Sequence, residues 1–445
     1  MKSATFIAPR ARKKCASDIS VITSPLSGIL ILATMLHKKE FDVQFFDESY
    51  KMPDYEKIDS DYVFITSMSA TVSRAYELAD FFKKKDKKVI LGGLHVTFKP
   101  DEALQHCDKV VLGEGENVIF DLINDKFKKN VIQGSPVLDM DSIPMPDYNL
   151  VEGIDRNPGV VSVCTSRGCP FNCKFCSLKA MFGRKYRTVS TERIVNYLSQ
   201  FKRLKTLCFD EPNFTADKER SIEILSKMKE QGIHPKYAWP SVSIDVANND
   251  KLLKMCSEVS NFHFAIGLES INKKVLDAYN KKQTPEIIRK NVKKIKDYGI
   301  RIFGSFIFGS DYDDKTVFQK TVDFCQDADI DFPTFSALTP YVGTDVRKEL
   351  ESKNRIFSND WDVYDGTHVV FYPKNMTPYE LQEGIISAYE NFYSRSKVLN
   401  HFKKAELFYG FETIYVRHLF KKMIKENQDY LNYLEEVKAP DFRFY

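Results

Sequence analysis

The sequence lacks a hydrophobic run long enough to cross a membrane. Its longest apolar stretch, residues 28–36, is far shorter than the about 20 residues that span a bilayer. The chain also lacks the early apolar segment and small-residue cleavage site of a secretory signal peptide. We therefore expect no transmembrane segment and no secretory leader.

The sequence also has no large excess of positive or negative charge. The chain has 65 Lys and Arg against 61 Asp and Glu, and its lysine runs at 83–85 and 281–282 fall where solvated helices and turns are predicted. A nucleic-acid-binding face needs clustered basic residues. The composition therefore predicts no nucleic-acid partner, while 445 residues are enough for two or three domains.

A disulfide framework is not indicated either. The nine cysteines are odd in number and irregularly spaced. Such a pattern is typical of reduced thiols in the cytoplasm rather than of a small secreted scaffold. We therefore expect a cytoplasmic protein.

Three of the cysteines, Cys169, Cys173 and Cys176, form a C-x3-C-x2-C group. Structural zinc and most iron–sulfur clusters take four protein ligands, so three thiolates leave a fourth position open for catalysis. The alternative, a zinc site or an oxidised pair, needs another ligand. Cys164 is nearby, but it lies in an apolar run, 160–164, where we expect it to pack as a small hydrophobic residue.

The spacing of this trio, with Phe175 before the last cysteine, resembles the signature of radical S-adenosylmethionine (radical SAM) enzymes. The resemblance implies a 4Fe-4S cluster held by Cys169, Cys173 and Cys176. It also implies that the amino and carboxylate groups of S-adenosyl-L-methionine (SAM) chelate the remaining iron, and that the backbone of Phe175 contacts the adenine.

The chain before the trio alternates apolar runs with amphipathic helices, which predicts a doubly wound parallel sheet. Strands are predicted at 4–8, 42–46, 62–66, 88–91 and 109–112, and helices at 26–38, 73–84 and 100–106. Ligands bind such sheets at the carboxyl ends of the strands. Small residues follow three of these strands: Ser67, Ser69 and Thr71, then Gly92 and Gly93, then Gly113, Glu114 and Gly115. By themselves these loops leave open a ligand site or merely tight turns, where glycine is common.

Taken together, the three loops resemble the flavodoxin-like or Rossmann-like N-terminal domain of cobalamin-binding radical SAM enzymes. The resemblance implies that the eight residues just named face cobalamin and that 113–116 closes the sheet. Many cobalamin domains carry D-x-H-x-x-G, whose histidine binds cobalt from below. Here the corresponding loop, 9–18, has no histidine, and none of the eight histidines lies two residues after an Asp. We therefore expect base-off cobalamin, and we expect His95 to be a loop residue bonded to backbone.

A proline-rich passage, 143–147, predicts a break between domains. Six further strands are predicted beyond it, at 160–164, 206–210, 237–243, 262–268, 302–308 and 334–338. They resemble the partial (β/α)6 TIM barrel of radical SAM enzymes, with chemistry at the carboxyl rim. We predict a cobalamin-binding-like domain at 1–140, a linker at 141–157, the radical SAM barrel at 158–350, and a mostly helical C-terminal extension at 351–445.

Several residues at the predicted rim correspond to SAM contacts in that family. The resemblance implies that Asp210 and Glu211 accept hydrogen bonds from the SAM amino group, although a carboxylate there could instead cap the next helix. Glu269 is expected to bind the ribose hydroxyls or the amino acid part of SAM. Ser243 is a further predicted SAM contact. The segment 304–309 resembles the family's adenine-packing strand, which implies that Ile307 packs against the base, although the segment by itself is equally a buried strand.

The C-terminal extension is rich in aromatic residues. Trp361, Tyr364 and His368 are candidates for lining a substrate cavity. Aromatic residues in such an extension more often simply pack together, so both interpretations stay open.

The combined resemblance implies a cobalamin-dependent radical SAM enzyme, a C-methyltransferase that acts at an unactivated carbon through a 5′-deoxyadenosyl radical and methylcobalamin. It implies a small-molecule or peptide substrate and an external one-electron reductant of the flavodoxin or ferredoxin type. One alternative is a radical SAM enzyme with another outcome, such as oxidation, ring contraction, cyclisation or sulfur insertion, in which cobalamin has another role or is absent. A second alternative is a non-catalytic corrinoid-binding or iron–sulfur protein.

Overall fold

The computed structural model describes residues 2–12, 25–154, 158–395, 407–426 and 428–437. These residues fall into two compact units. The first contains 2–12, 25–154, 158–172 and 176–263, and the second contains 173–175, 264–395, 407–426 and 428–437. The four-part domain division stays a prediction.

The N-terminal part of the first unit is a six-stranded parallel sheet. Its strands are β1 (Ser3–Ala8), β2 (Asp42–Asp47), β3 (Tyr62–Thr66), β4 (Lys88–Gly92), β5 (Lys109–Leu112) and β6 (Val131–Gln133), in the order β2-β1-β3-β4-β5-β6. All five predicted strands are confirmed. The expectation that 113–116 closes the sheet is wrong, because β6 pairs beyond β5. Only the middle residue of β6 is buried, so the strand carries little apolar signal.

Five helices accompany this sheet: α1 (Ser27–His37), α2 (Val72–Lys83), α3 (Leu94–Phe98), α4 (Pro100–Ala103) and α5 (Ile119–Ile123). The central strands are almost wholly buried, as expected for parallel strands covered on both faces. Phe6 of β1 stacks on Phe64 of β3 with 4.7 Å between ring centroids. The apolar core therefore lies along the centre of the sheet and leaves the strand ends for ligands.

The rest of the first unit begins the predicted barrel. Strand β10 (Thr206–Phe209) pairs in parallel with both β7 (Val160–Val163) and β11 (Tyr237–Val242). A two-residue hairpin, β8 (Ser166–Arg167) with β9 (Arg187–Thr188), is antiparallel. The helices are α6 (Ser177–Phe182), α7 (Thr191–Leu198), α8 (Lys218–Glu230) and α9 (Asp250–Val259).

Strand β12 (Asn261–Glu269) starts in the first unit and ends in the second. The second unit adds β13 (Arg301–Phe308) and β14 (Phe332–Ala337), with α10 (Lys273–Ala278), α11 (Pro285–Asp297), α12 (Val317–Asp327) and α13 (Asp345–Ser352). Alternate residues of β13 are buried, so its two faces contact different surroundings. With β7, β10, β11, β12, β13 and β14, all six predicted barrel strands are present.

The C-terminal segment of the second unit contains α14 (Pro378–Phe392), α15 (Leu407–Glu426) and α16 (Gln428–Glu436). Tyr364 is fully buried, donates a 2.6 Å hydrogen bond to the carbonyl of Ser358, and contacts Trp361 at 4.7 Å between centroids. His368 is buried with Nδ1 2.9 Å from the Asp365 carboxylate. These contacts favour simple packing of the aromatic residues. Among the described helices, none is long and apolar enough to cross a membrane.

Candidate functional site

A cavity of about 470 Å³ opens within the first unit at the carboxyl ends of β3, β4 and β5. Its volume is within the range of small-molecule and cofactor sites. Six of the eight residues predicted to face cobalamin line it: Ser67, Gly92, Gly93, Gly113, Glu114 and Gly115. The start of α1, including Ser27 and Gly28, lines it as well.

Glycine residues allow close backbone packing in the loops around this cavity. Gly93 has a φ of 98°, and an added Cβ would lie 2.6 Å from the carbonyl oxygen of Ser67. Gly134, just after β6, lies so close to Glu114 that a Cβ there would be 1.9 Å from its carbonyl oxygen. Only glycine fits at these positions. These glycines let the loops pack closely on one another. Gly92, Gly93, Gly113 and Gly115 also line the cavity and present backbone rather than side chains to it, so the loops fit cobalamin.

Ser69 and Thr71, the other two predicted contacts, are buried and do not line the cavity. Thr71 Oγ1 accepts a hydrogen bond from the backbone N–H of Met68. The prediction for His95 is wrong, because this residue lies in α3 and is buried, with its ring 3.2 Å from Ser69 Oγ and 3.4 Å from Glu102 Oε1. Its ring therefore contacts side chains, which a single sequence could not indicate.

The cavity also reaches residues that follow β7 and β10, and Ser241 within β11. Cys164 lies on the wall of this cavity and is partly buried, and its packing as a small hydrophobic residue stays a prediction. Its Sγ–H donates to the carbonyl of Ser166 at 3.2 Å. Desolvation raises the pKa of this thiol to about 12. The thiol is therefore neutral at physiological pH.

Asp210 is accessible from the cavity and accepts a 2.8 Å hydrogen bond from the hydroxyl of Ser27. Desolvation by the surrounding protein raises the pKa of Asp210, and the Ser27 hydrogen bond partly opposes this effect. A carboxylate in this position can accept hydrogen bonds from an ammonium group. This geometry fits the predicted contact with the SAM amino group.

Glu211 faces a different environment. Its carboxylate is buried and accepts hydrogen bonds from the backbone N–H (3.0 Å) and hydroxyl (2.9 Å) of Thr165. Desolvation raises its pKa to about 7. Neither acidic residue caps the next helix, because Asp217 caps α8 by accepting from the N–H of Arg220. Glu211 thus holds the chain just ahead of the β8–β9 hairpin.

The cysteine trio lies in the loop 168–186, which the β8–β9 hairpin encloses. At its base Gly168 has a φ of 86° and lies against the carbonyl of Lys185, and the N–H of Cys169 donates to the carbonyl of Gly183 at 3.3 Å. All three cysteines are partly buried. Cysteines at this spacing fit a cluster, and their ligand roles stay predictions.

Within the described ranges, no three His, Cys, Asp or Glu side chains converge on one metal ion. The zinc alternative needs such convergence. A 4Fe-4S cluster does not, because each thiolate binds a different iron.

Three of the predicted SAM contacts lie in the second unit. Phe175 makes an edge-to-face contact with Tyr279 at 5.3 Å between centroids. Glu269 is buried at the end of β12 with a φ of 64°, and it pairs with Lys281 at 2.9 Å. A non-glycine residue with positive φ often marks a functional site. Ile307 lies on the less buried face of β13, while Ser243, in the first unit, precedes a short 3-10 helix.

Among the cavity-lining residues that were not predicted from the sequence, Glu116 and Arg167 carry charges. Both side chains are buried and form one ion pair. The only signal was the acidic residue repeated in Gly-Glu-Gly-Glu at 113–116 and a basic residue two positions before Cys169. Neither pattern reveals its partner, because the pairing depends on the tertiary fold.

Residues 22–123 match the family described as B12 binding domain, and residues 163–325 match the radical SAM superfamily. An uncharacterized methyltransferase of Pyrococcus horikoshii is 31% identical over 85% of this chain and 89% of its own length. A bacteriochlorophyllide d C-12(1)-methyltransferase of Chlorobaculum tepidum is 29% identical over 88% of both chains.

Two solved structures share the fold. The radical SAM methyltransferase TsrM from Kitasatospora setae, with cobalamin and a [4Fe-4S] cluster bound, has a TM-score of 0.67 at 13% identity and covers 89% of this chain and 90% of its own. The cobalamin-dependent radical SAM enzyme OxsB with aqua-cobalamin has a TM-score of 0.68 at 14% identity over 99% of this chain and 76% of its own. With both domains in one chain and a relative at 31% identity over most of its length, the chain belongs to the cobalamin-binding radical SAM enzymes.

Proposed function

We propose that this enzyme transfers a methyl group from SAM to an unactivated carbon of a small-molecule substrate. The observation that carries the proposal is one cavity lined by residues of all three loops after β3, β4 and β5, by Asp210 and by Arg167, which lies two residues before Cys169. When bound, the cluster supplies the electron that cleaves SAM to a 5′-deoxyadenosyl radical, and cobalamin carries the methyl group. Radical formation and methyl transfer need such a shared, enclosed space.

The chain's own residues bind, orient and exclude water. Cys169, Cys173 and Cys176 would hold the cluster, and the bare backbone at Gly93 and Gly113 would support the corrin. Asp210 would accept hydrogen bonds from the SAM ammonium group, as its accessible, Ser27-bonded carboxylate allows. The apolar remainder of the lining limits water near a reactive radical.

We infer that cobalamin binds in the base-off form. The residues that line the cavity in the described ranges include no histidine. The loop 9–18 also has none, although positions 13–18 lie outside the described residues. An absorption spectrum of anaerobic protein loaded with cobalamin tests this directly, and base-on bands at neutral pH would contradict it.

The substrate we propose is a largely apolar small molecule with fused or linked rings. Two relatives are named as bacteriochlorophyllide d methyltransferases, at 29% and 28% identity. A hopanoid C-2 methylase of Rhodopseudomonas palustris is 24% identical over 77% of this chain. A tetrapyrrole and a hopanoid are therefore the first probes to test.

The electron donor we propose is a flavodoxin- or ferredoxin-type protein in the cytoplasm, where a reduced cluster and free thiols persist. The segment 170–185 around the cysteines carries four basic residues and no acidic one. Opposite charge on a small redox protein would steer it to this segment. Reduction that slows steeply with added salt is the expected outcome.

The decisive experiment incubates anaerobic, cluster- and cobalamin-loaded enzyme with SAM, reductant and either bacteriochlorophyllide d or a hopanoid. Methyl transfer predicts S-adenosylhomocysteine and 5′-deoxyadenosine in comparable amounts, together with a methylated product. Deoxyadenosine alone would favour a radical SAM enzyme with another outcome. An intact cluster that never cleaves SAM under strong reductant would favour a non-catalytic binding protein.

A further inference from the structure

Four buried charged side chains of the first unit form a continuous ion-paired layer. Arg167 and Arg187 are opposite each other in the β8–β9 hairpin, and Glu114 and Glu116 lie in the loop after β5. Arg167 donates to Glu114 at 2.8 Å and to Glu116 at 2.5 Å, while Arg187 makes two hydrogen bonds to Glu114 at 2.6 and 2.9 Å. No more than 6% of any of these side chains is exposed. We call this set the Arg–Glu layer.

The Arg–Glu layer fixes the relative position of the segments that carry it more than it stabilises the fold. Buried ion pairs often stabilise a fold no better than apolar residues of the same volume, because both charges lose their water. Forked guanidinium–carboxylate bonds do fix the distance and angle between the segments that carry them. The layer therefore holds the hairpin and the loop 113–116 in one relative position.

Both of these segments have a role in the proposed reaction. Glu114, Glu116 and Arg167 line the cavity that fits cobalamin. Arg167 lies two residues before Cys169, and the hairpin base is closed by the bond from the Cys169 N–H to the carbonyl of Gly183. The Arg–Glu layer thus contacts the cobalamin cavity and the start of the cysteine loop at the same time.

We propose that the Arg–Glu layer couples the two cofactor sites, so that cobalamin in the cavity tightens SAM binding at the cluster. Cobalamin packed against Glu114 and Glu116 restrains the two arginines, and these restrain the loop that presents Cys169. Arg167 is a positioning residue in this scheme. The coupling rests on the proposed function for the identity of the two ligands, and by linkage SAM must tighten cobalamin binding by the same factor.

The test measures SAM affinity without any substrate. Anaerobic enzyme with a reconstituted, oxidised cluster, which cannot cleave SAM, is titrated with radiolabelled SAM, with and without aquacobalamin, and equilibrium dialysis reports binding. We expect SAM to bind at least ~5-fold more tightly to cobalamin-loaded wild-type enzyme, which is the lower end of typical coupling factors. In the double variant Arg167→Gln/Glu116→Gln we expect a ratio below ~2-fold.

The double variant removes one positive and one negative charge, so it leaves no buried charge unpaired, and Arg187 keeps its bonds to Glu114. The matched control is Arg74→Gln/Glu48→Gln, which breaks a 2.8 Å pair of the same unit whose residues do not line the cavity. The control should keep the wild-type ratio. If the double variant does not fold, Arg167→Lys, which retains the charge but not the fork, should give an intermediate ratio with full iron content.

Each possible result of these SAM titrations supports or contradicts the proposed coupling. A wild-type ratio near one, or an undiminished ratio in the double variant or in Arg167→Lys, overturns the coupling. Loss of the ratio in the control as well would show a general loss of stability and would also overturn it. Methylation without coupling leaves the proposed function standing, whereas coupling without methylation overturns only the proposed function. A chain that binds no cobalamin overturns both.

Discussion

The hydroxyl of Ser27, the first residue of α1, donates a 2.8 Å hydrogen bond to Oδ2 of Asp210, the residue that follows β10. This bond joins an element of the cobalamin-binding sheet to a residue at the end of a barrel strand, and both residues line the same cavity. The contact makes the protonation of Asp210 depend on α1.

Ser27→Ala should shift the acidic loss of SAM binding to higher pH. Desolvation raises the pKa of Asp210 and the Ser27 bond lowers it, so removing the hydroxyl raises that pKa further. A protonated carboxyl no longer attracts the SAM ammonium group. SAM affinity measured from pH 5 to 8 checks this, with Ser27→Thr as the control that keeps a hydroxyl. Identical pH profiles for all three proteins would remove Asp210 from the SAM site.

Glu211→Gln should flatten the pH dependence of stability between pH 4.5 and 7. Desolvation raises the pKa of Glu211 from 4.5 to about 7, so in this window the folded chain binds more protons than the unfolded one. Stability from this group is thus full below pH 4.5 and falls as pH rises, by on the order of 3 kcal/mol. Urea unfolding at pH 5 and pH 8 measures it. Parallel pH profiles for wild type and variant would contradict the assignment.

Cys173→Ala should abolish both the iron–sulfur absorbance and all reductive cleavage of SAM. Two thiolates cannot replace three in holding a cluster whose fourth iron must stay open for SAM. The matched control is Cys164→Ala, because the Cys164 thiol is neutral and bonded to Ser166, so its loss should leave iron content unchanged. Retained SAM cleavage in Cys173→Ala would refute its ligand role.

Gly93→Ala should weaken both folding and cobalamin binding. Its φ of 98° and ψ of −176° belong to a region that is essentially restricted to glycine, and a Cβ would lie 2.6 Å from the Ser67 carbonyl. We expect a loss of about 1–3 kcal/mol in the free energy of unfolding, and weaker cobalamin binding in an absorbance titration. Gly28→Ala is the control, because its Cβ meets nothing within 4 Å. Equal unfolding free energies for both variants would contradict the strain.

Much of the fold could be predicted because buried strands have a recognisable local pattern of apolar residues. Strands β3 and β5 begin and end at the predicted residues, since continuous apolar runs bounded by polar turns define buried parallel strands. Strand β6 could not be found in this way, because two of its three residues are exposed. It is held by pairing with β5, which is a long-range property.

The candidate site was predictable where residue type dictates chemistry. The cysteine spacing and the glycine loops were visible in the sequence, and six of the predicted cobalamin contacts do line the cavity. The different environments of Asp210 and Glu211 were not visible. Neighbours in sequence, they differ because one contacts Ser27 and the other contacts Thr165, and both partners come from distant parts of the chain.

Gly134 determines how much of the chain must be kept together for the cavity to persist. Gly134 packs closely against the backbone carbonyl of Glu114. Val137, three residues later, donates its backbone N–H to the Glu114 carboxylate at 3.0 Å, and its carbonyl accepts a hydrogen bond from Arg187 at 2.6 Å. The match to the B12-binding family ends at residue 123, before either of them. A fragment that ends at residue 123 would keep every glycine of the cofactor loops but lose Gly134 and Val137, which pack against Glu114. The segment needed for an intact cavity therefore extends beyond the residues that match the family.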